Sequence, residues 1–343
     1  MIFFYCLIII TACVGLKTKK QGYYHDYLGF DQTNAIKGVC ILLVFLRHVF
    51  QYVYESSYTC SSFGDHYAEL IDGMIRQLLV AYFLFSSGYG IMESITKKGD
   101  AYIHNIPKRR VLNTLINFDL AVLTFIILDL AIGREISINQ VIFSFFAWDD
   151  VGNSNWYIFA ILFCYLAVYL SYIACKGNTA VISAMLLGLF VFYIFVMWFL
   201  KPCHWYNTIM CFPLGMFISK KKERFEYYTQ KHYLLSILVL LMAFIVTYLL
   251  HDDYSIFDSI NAMLLCVLIL LACMKVKIGN KALVWLGSSL FPLYIYQRLP
   301  MIALYEINNG IFVSNYVVLY ISLCGVITIG IGYLYKYWQI KIQ

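Results

Sequence analysis

The sequence predicts an all-α integral membrane protein, a bundle of about ten core transmembrane helices plus one extra N-terminal helix. Three observations carry this. Of 343 residues, 62% are hydrophobic and only 13% charged, with a mean hydropathy of +0.74. A soluble domain carries about 25% charged residues, so a water-soluble fold of this size could not cover its own surface. Apolar runs of membrane-crossing length recur from end to end, separated by short polar loops. Lysine and arginine gather in alternate loops, with acidic residues in the others, as the positive-inside rule describes.

Taken in order, the runs lie near 1–16, 33–54, 73–95, 112–132, 155–175, 180–200, 204–219, 232–250, 257–274, 283–305 and 314–336. The first has the length of a signal peptide but lacks a basic leading region and a small-residue cleavage site, so it reads as a retained helix. Many of the tyrosines fall near predicted helix ends, where amphipathic rings suit the headgroup level. The five prolines, Pro107, Pro202, Pro213, Pro292 and Pro300, leave the second run unbroken. There is no long linker, low-complexity tract or separate soluble domain. The chain therefore reads as one membrane domain over 1–343, with 1–29 an added helix and cytoplasmic linker before a core at 30–336.

Charge fixes the expected orientation. One set of loops carries Lys17, Lys19, Lys20, Lys97, Lys98, Lys108, Arg109, Arg110, Lys176, Lys220–Lys222, Arg224, Lys231, Lys275, Lys277, Lys281 and Lys336. The opposite set carries Glu55, Asp65, Glu69, Asp72, Glu135, Asp149, Asp150, Asp252, Asp253 and Asp258, with Lys201 the exception. This places the N-terminus outside and the C-terminus in the cytoplasm of a multi-pass membrane protein. The net charge of +6 is then a topology signal, and no nucleic-acid partner is expected. Most of the 11 cysteines lie in apolar runs and show no metal-ligand spacing, so neither a metal nor a tightly bound cofactor is expected. Cys60 and Cys203 fall near the outer face and read first as two free thiols, with a bridge between them the alternative.

Ionisable groups at membrane depth mark functional positions. The second run holds the densest set, Asn34-Ala-Ile-Lys37-Gly38 through Leu46-Arg47-His48. Lys37 and His48 are eleven positions apart, which at ~100° per residue closes three turns with ~20° left over. Both therefore share a face, separated by a rise of ~16 Å, about half the hydrocarbon thickness. A cation near the cytoplasmic boundary and an imidazole at depth suit catalysis across the membrane. The plainer roles are snorkelling for Lys37 and a polar helix contact for His48. Arg47 sits ~80° from Lys37 on the wheel and reads first as an ion-pair member, with Glu93 or Asp119 as partners, or as a group facing an acceptor cavity.

Four segments together resemble the acyltransferase-3 family of integral membrane O-acyltransferases, in its form without a C-terminal hydrolase-like domain. They are Lys37-x10-His48, Phe83-Leu-Phe-Ser86-Ser87-Gly88-Tyr89, Asn155-Trp156-Tyr157, and Ser288-Ser289-Leu-Phe-Pro-Leu-Tyr294-Ile-Tyr296, in family order across residues 30–336. The resemblance implies transfer of an acyl group, usually acetyl, from cytoplasmic acyl-CoA to a hydroxyl of an extracytoplasmic polysaccharide, glycolipid or lipid-linked saccharide. It makes His48 the catalytic residue, as general base or acyl relay, with Lys37 beside the donor. Acyl-CoA binding falls to Lys37, Lys108, Arg109, Arg110, Ser87 and Gly88, and acceptor binding to Arg47, Trp156, Gln297 and Arg298. Close helix packing is the plainer role for Gly88. Asn34, Asn113 and Gln297 depart from the residues common in the family at those positions.

Two other functions fit a chain of this kind. Helix count alone would suit a secondary transporter or flippase of a glycan-related substrate, although no convincing internal repeat is found. A non-catalytic subunit presenting a glycan or lipid is the third. The outer-loop residues Trp148, Asp149 and Asp150 are read as sugar contacts or a solvated turn. Oligomeric state, including a homo-oligomer, is left open.

Overall fold

The computed structural model describes residues 1–76, 78–175, 177–250 and 255–342, and most of them are helical. Lys176, Asp252 and Asp253 lie outside the described residues. In chain order the helices are α1 (Ile2–Cys13), α2 (Phe30–Glu55), α3 (Phe63–Ile75), α4 (Leu78–Lys98), α5 (Asp100–Ile106), α6 (Asn113–Ile132) and α7 (Ile138–Ser144). They continue with α8 (Trp156–Ala174), α9 (Thr179–Leu200), α10 (Cys211–Lys220), α11 (Lys222–Lys231), α12 (Tyr233–Leu249) and α13 (Ser255–Lys275). The last are α14 (Lys281–Ser288), α15 (Leu290–Tyr296), α16 (Arg298–Glu306), α17 (Ile311–Asn315) and α18 (Val317–Ile342).

Among the described residues, seven helical segments are long and apolar enough to cross a membrane, or eight if the bent pair α11–α12 counts as one. This is fewer than the sequence suggests, for a physical reason in each case. Helix α1 has 12 residues, ~18 Å of rise, short of the ~30 Å hydrocarbon layer. The expected span at 204–219 is a short turn, Cys203–Trp205, followed by the ten-residue α10. The expected span at 283–305 is three short helices, α14, α15 and α16. At the α11–α12 junction the polar α11 lies at 98° to the apolar α12.

Large apolar side chains remain uncovered on α9 and α12, among them Phe192, Phe195, Leu234, Leu238 and Met242. In water such faces would aggregate; in a bilayer they meet lipid tails. Hydrophobic driving force between helices is weak there, so close approach is set by small residues. Two antiparallel pairs show it. In α2–α14, a Cβ on Gly38 would come within 2.1 Å of the Leu283 carbonyl oxygen, and one on Gly287 within 1.9 Å of that of Asn34. In α4–α10, a Cβ on Gly88 would meet the Phe212 carbonyl oxygen at 2.0 Å, and one on Gly215 that of Phe85 at 2.1 Å. Each backbone thus seats itself where the other lacks a side chain.

One end of the bundle gathers the basic loops. A two-residue antiparallel bridge pairs Lys17 with Lys277 and Thr18 with Val276, and the Lys19 and Tyr24 amides donate to the Lys275 and Met274 carbonyls at 2.8 and 2.9 Å. Lys277 also pairs with Asp26, which holds that carboxyl below its ordinary range. Phe30, where α2 begins, is at this end, and Glu55 is at the other.

Candidate active site

Helix α2 runs unbroken through 26 residues and carries both Lys37 and His48. They open into separate cavities, one above the other along the helix. The Lys37 cavity, of 430 Å³, is lined by Lys37, Arg109, Arg110, Asn113 and Tyr165 among others, and among the described residues no carboxylate lines it. The His48 cavity, of 270 Å³, is lined by His48, Arg47, Arg298, Trp156 and His204 among others. Tyr294 of α15 lines both, and its ring is 1% exposed. It packs edge-on against Tyr157, with ring centres 5.1 Å apart, and so forms part of the wall between them.

Local structure explains how the arginines reach the Lys37 cavity. Between α5 and α6 the chain makes a π-helical stretch, Pro107–Leu112, which widens the turn that carries Lys108, Arg109 and Arg110. Arg109 and Arg110 line the cavity, and Arg110 Nε donates to the Tyr102 hydroxyl at 3.2 Å. Lys108 stands exposed on the same stretch and does not line it. Lys37 has no hydrogen-bond or ion-pair partner among the described residues. A polar cavity with three cations and, among the described residues, no counter-charge has the electrostatics that suit a polyanion.

In the other cavity, His48 Nδ1 is buried without a hydrogen-bond partner among the described residues. An imidazole that lines a cavity and has no hydrogen-bond partner among the described residues can take or give a proton there. Arg47 does pair, but with Asp72 (3.1 Å to Oδ2, 2.8 Å to its carbonyl) and not with Glu93 or Asp119. Glu93 bridges Lys97 at 3.1 Å and accepts from Ser219 Oγ at 3.0 Å, away from Lys37. Arg298 Nε donates to the Tyr52 hydroxyl at 3.3 Å, and Trp156, the first residue of α8, meets His204 edge-on at 5.7 Å. Burial, and then the Arg47 charge, push the His204 imidazole below its ordinary range.

Besides Lys108, three expected site residues lie elsewhere. Gly88 is enclosed in the α4–α10 contact and lines neither cavity. Ser87 lies behind the wall, beside the Tyr157 and Tyr165 hydroxyls. Gln297 is 0% exposed, donates to the Tyr294 carbonyl at 3.2 Å, and lines a small apolar cavity of 70 Å³ against α18. Conversely, Tyr294 at the junction and His204, Asn153 and Ser154 at the His48 cavity were not singled out as site residues. Only Tyr294 carried a signal, as part of its tyrosine-rich segment.

The loop before α8 is held by the one basic residue that broke the charge alternation. Lys201 Nζ donates to the Trp148 carbonyl at 2.6 Å and lies 4.3 and 4.5 Å from the ring centres of Trp148 and Trp205. Burial lowers its pKa, against the charges of Asp149 and Asp150. Trp148 is thus engaged by lysine and does not line the cavity, whereas Asp150 does. Lys201→Met is expected to cost about 1–2 kcal/mol of stability by removing two cation–ring contacts and a hydrogen bond. Thermal melting checks it, and an unchanged melting temperature would deny the clamp.

The family model described as an acyltransferase domain matches residues 30–336. The chain belongs to the acyltransferase-3 family. It is a membrane acyltransferase, built of apolar helices around the two cavities. The match covers the whole helical core from the start of α2 into α18, so both cavities of this acyltransferase lie inside it. Neither a curated protein nor a solved structure matches the chain. Cys60 and Cys203 are free thiols.

Proposed function

We propose that this acyltransferase moves a short acyl group, acetyl foremost, from acyl-CoA on the cytoplasmic side to a hydroxyl of a surface saccharide on the outer side of a bacterial plasma membrane. The observation that carries the reading is the pair of cavities stacked along α2, with Lys37, Arg109 and Arg110 in one and His48 in the other. Acyl-CoA is a polyanion with a long flexible arm. Its phosphates suit the three cations, and its thioester is directed along α2 towards Tyr294 and His48. The basic loops gathered at the Lys37 end support the assignment of that end to the cytoplasm.

Chemistry at His48 then runs by one of two balanced routes. In the first, the imidazole takes the acceptor hydroxyl proton as its oxygen attacks the thioester carbonyl. The C–S bond breaks, and the imidazolium returns the proton to the CoA thiolate. In the second, the imidazole nitrogen itself takes the acyl group as the C–S bond breaks, the thiolate leaves as the thiol with the ring N–H proton, and the acceptor oxygen then displaces the imidazole, which takes back the hydroxyl proton. Both need an uncommitted nitrogen, and His48 Nδ1 is unpartnered among the described residues.

Sealed vesicles of opposite orientation test the reading. Labelled acetyl-CoA supplied at the Lys37 face, with a surface-glycan extract at the His48 face, is expected to give labelled glycan and free CoA. The reversed arrangement is expected to give neither. Equal labelling from both faces would refute the assignment of the cavities. Glycan flux without acyl-CoA, in a protein that releases no CoA, would make it a transporter.

A further inference from the structure

We infer that the acceptor taken by the His48 cavity is an acidic saccharide, with a carboxylate or phosphate placed to meet the Arg298 guanidinium. The inference rests on the reading of this cavity as the acceptor site, and adds the acceptor's charge class.

The first observation is the sign of the walls. Among the described residues, Arg47, Arg76 and Arg298 line the cavity against one carboxylate, Asp150. Arg47 is already paired with Asp72, and Asp150 accepts from the Gly152 amide at 3.2 Å. Arg298 is different. Its Nε donates to a neutral phenol, Tyr52, its guanidinium lies 5.6 Å from that ring centre, and it pairs with no carboxylate among the described residues. A guanidinium has five donors in a planar fork matched to a carboxylate or phosphate. Left without a counter-ion in a cavity walled by helices, it is costly.

The second observation is independent of charge. Asn153, 2% exposed, accepts the Val151 amide on Oδ1 at 3.0 Å. That bond fixes the amide and leaves Nδ2, a donor, buried without a partner among the described residues. Ser154, 5% exposed, leaves its Oγ in the same state. Both line the cavity with Arg298. Among the described residues, two donor groups of the wall thus go unmatched, the Arg298 guanidinium without an anionic acceptor and Asn153 Nδ2 without any. A sugar hydroxyl brings a donor with every acceptor, whereas an ionised carboxylate or phosphate brings acceptors alone. Trp156 offers a ring for the sugar face.

A binding measurement that needs no acyl donor tests this. The protein is placed in zwitterionic nanodiscs and titrated calorimetrically with a galacturonate trisaccharide, and with the same trisaccharide methyl-esterified. The acid is expected to bind about 10- to 100-fold more tightly, the range of one charge-assisted hydrogen-bond pair. Added salt should weaken it. Arg298→Gln should remove the preference and Arg298→Lys should keep part of it, with thermal melting confirming that each variant is folded. Equal affinity for acid and ester, binding of neither, or a preference that survives Arg298→Gln would overturn the inference. So would displacement of the trisaccharide at matched concentration by glycerophosphoglycerol, since the site would then serve a lipid headgroup. Acetyl-CoA consumption in the same preparation answers the separate question. Acid-selective binding without CoA release would remove the acyl-transfer reading and leave the acidic ligand standing.

Discussion

His48→Ala is expected to lower acceptor-dependent CoA release by roughly 10²- to 10⁴-fold, the usual contribution of a positioned acid–base group, while acyl-CoA still binds. The separation of effects follows from geometry. His48 lines one cavity and the cations Lys37, Arg109 and Arg110 line the other, with Tyr294 between them. A substitution at His48 should therefore lower kcat and leave donor affinity alone, whereas Lys37→Met should weaken donor binding as well. Equilibrium binding of acetyl-CoA beside single-turnover CoA release measures both. Near-normal turnover in the variant would take the chemistry away from His48. Loss of donor binding together with turnover would mean that its role is structural.

Gly287→Ala is expected to destabilise the fold by about 3 kcal/mol or more, the upper end of overpacking costs. The added methyl would stand 1.9 Å from the Asn34 carbonyl oxygen and 2.9 Å from its Cα, and neither is a flexible side-chain end. Helix α14 would have to back away from α2. Asn34 and Gly287 both line the Lys37 cavity, so its wall would open with the displacement. Gly90→Ala is the control, because a Cβ there meets nothing within 4 Å. Melting temperature and the yield of monodisperse protein in detergent compare the two. Equal stability of both variants would show that the α2–α14 contact can relax at little cost.

Much of this could be read in the chain, and the remainder divides along a physical line. The face shared by Lys37 and His48 follows from helical period alone, and α2 is long and unbroken, so local geometry carries across 26 residues. Window hydropathy sees composition and not continuity. It therefore read residues 283–305 as one span, although Ser289 and Gln297 separate three short helices there. The ion pair of Arg47 joins residues 25 positions apart, and no periodicity picks Asp72 over Glu93 or Asp119. Lys201 appeared as a flaw in the charge pattern because its partners, Trp148 and Trp205, come together only in the folded loop. Gly88 matched a motif of the family, but its motif position does not tell a cavity floor from a helix contact.

The wall at Tyr294 has a consequence beyond acyl transfer. Under the proposed orientation, wet cavities enter the bundle from both aqueous phases, and a continuous path between them would be a leak. Each elementary charge that slips through dissipates about 2.3 kcal/mol per 100 mV of membrane potential. A buried tyrosine that lines both cavities narrows any such path to what the acyl transfer itself requires. Shortening Tyr294 would then be felt first by the energised cell, as a conductance, whatever it does to the chemistry.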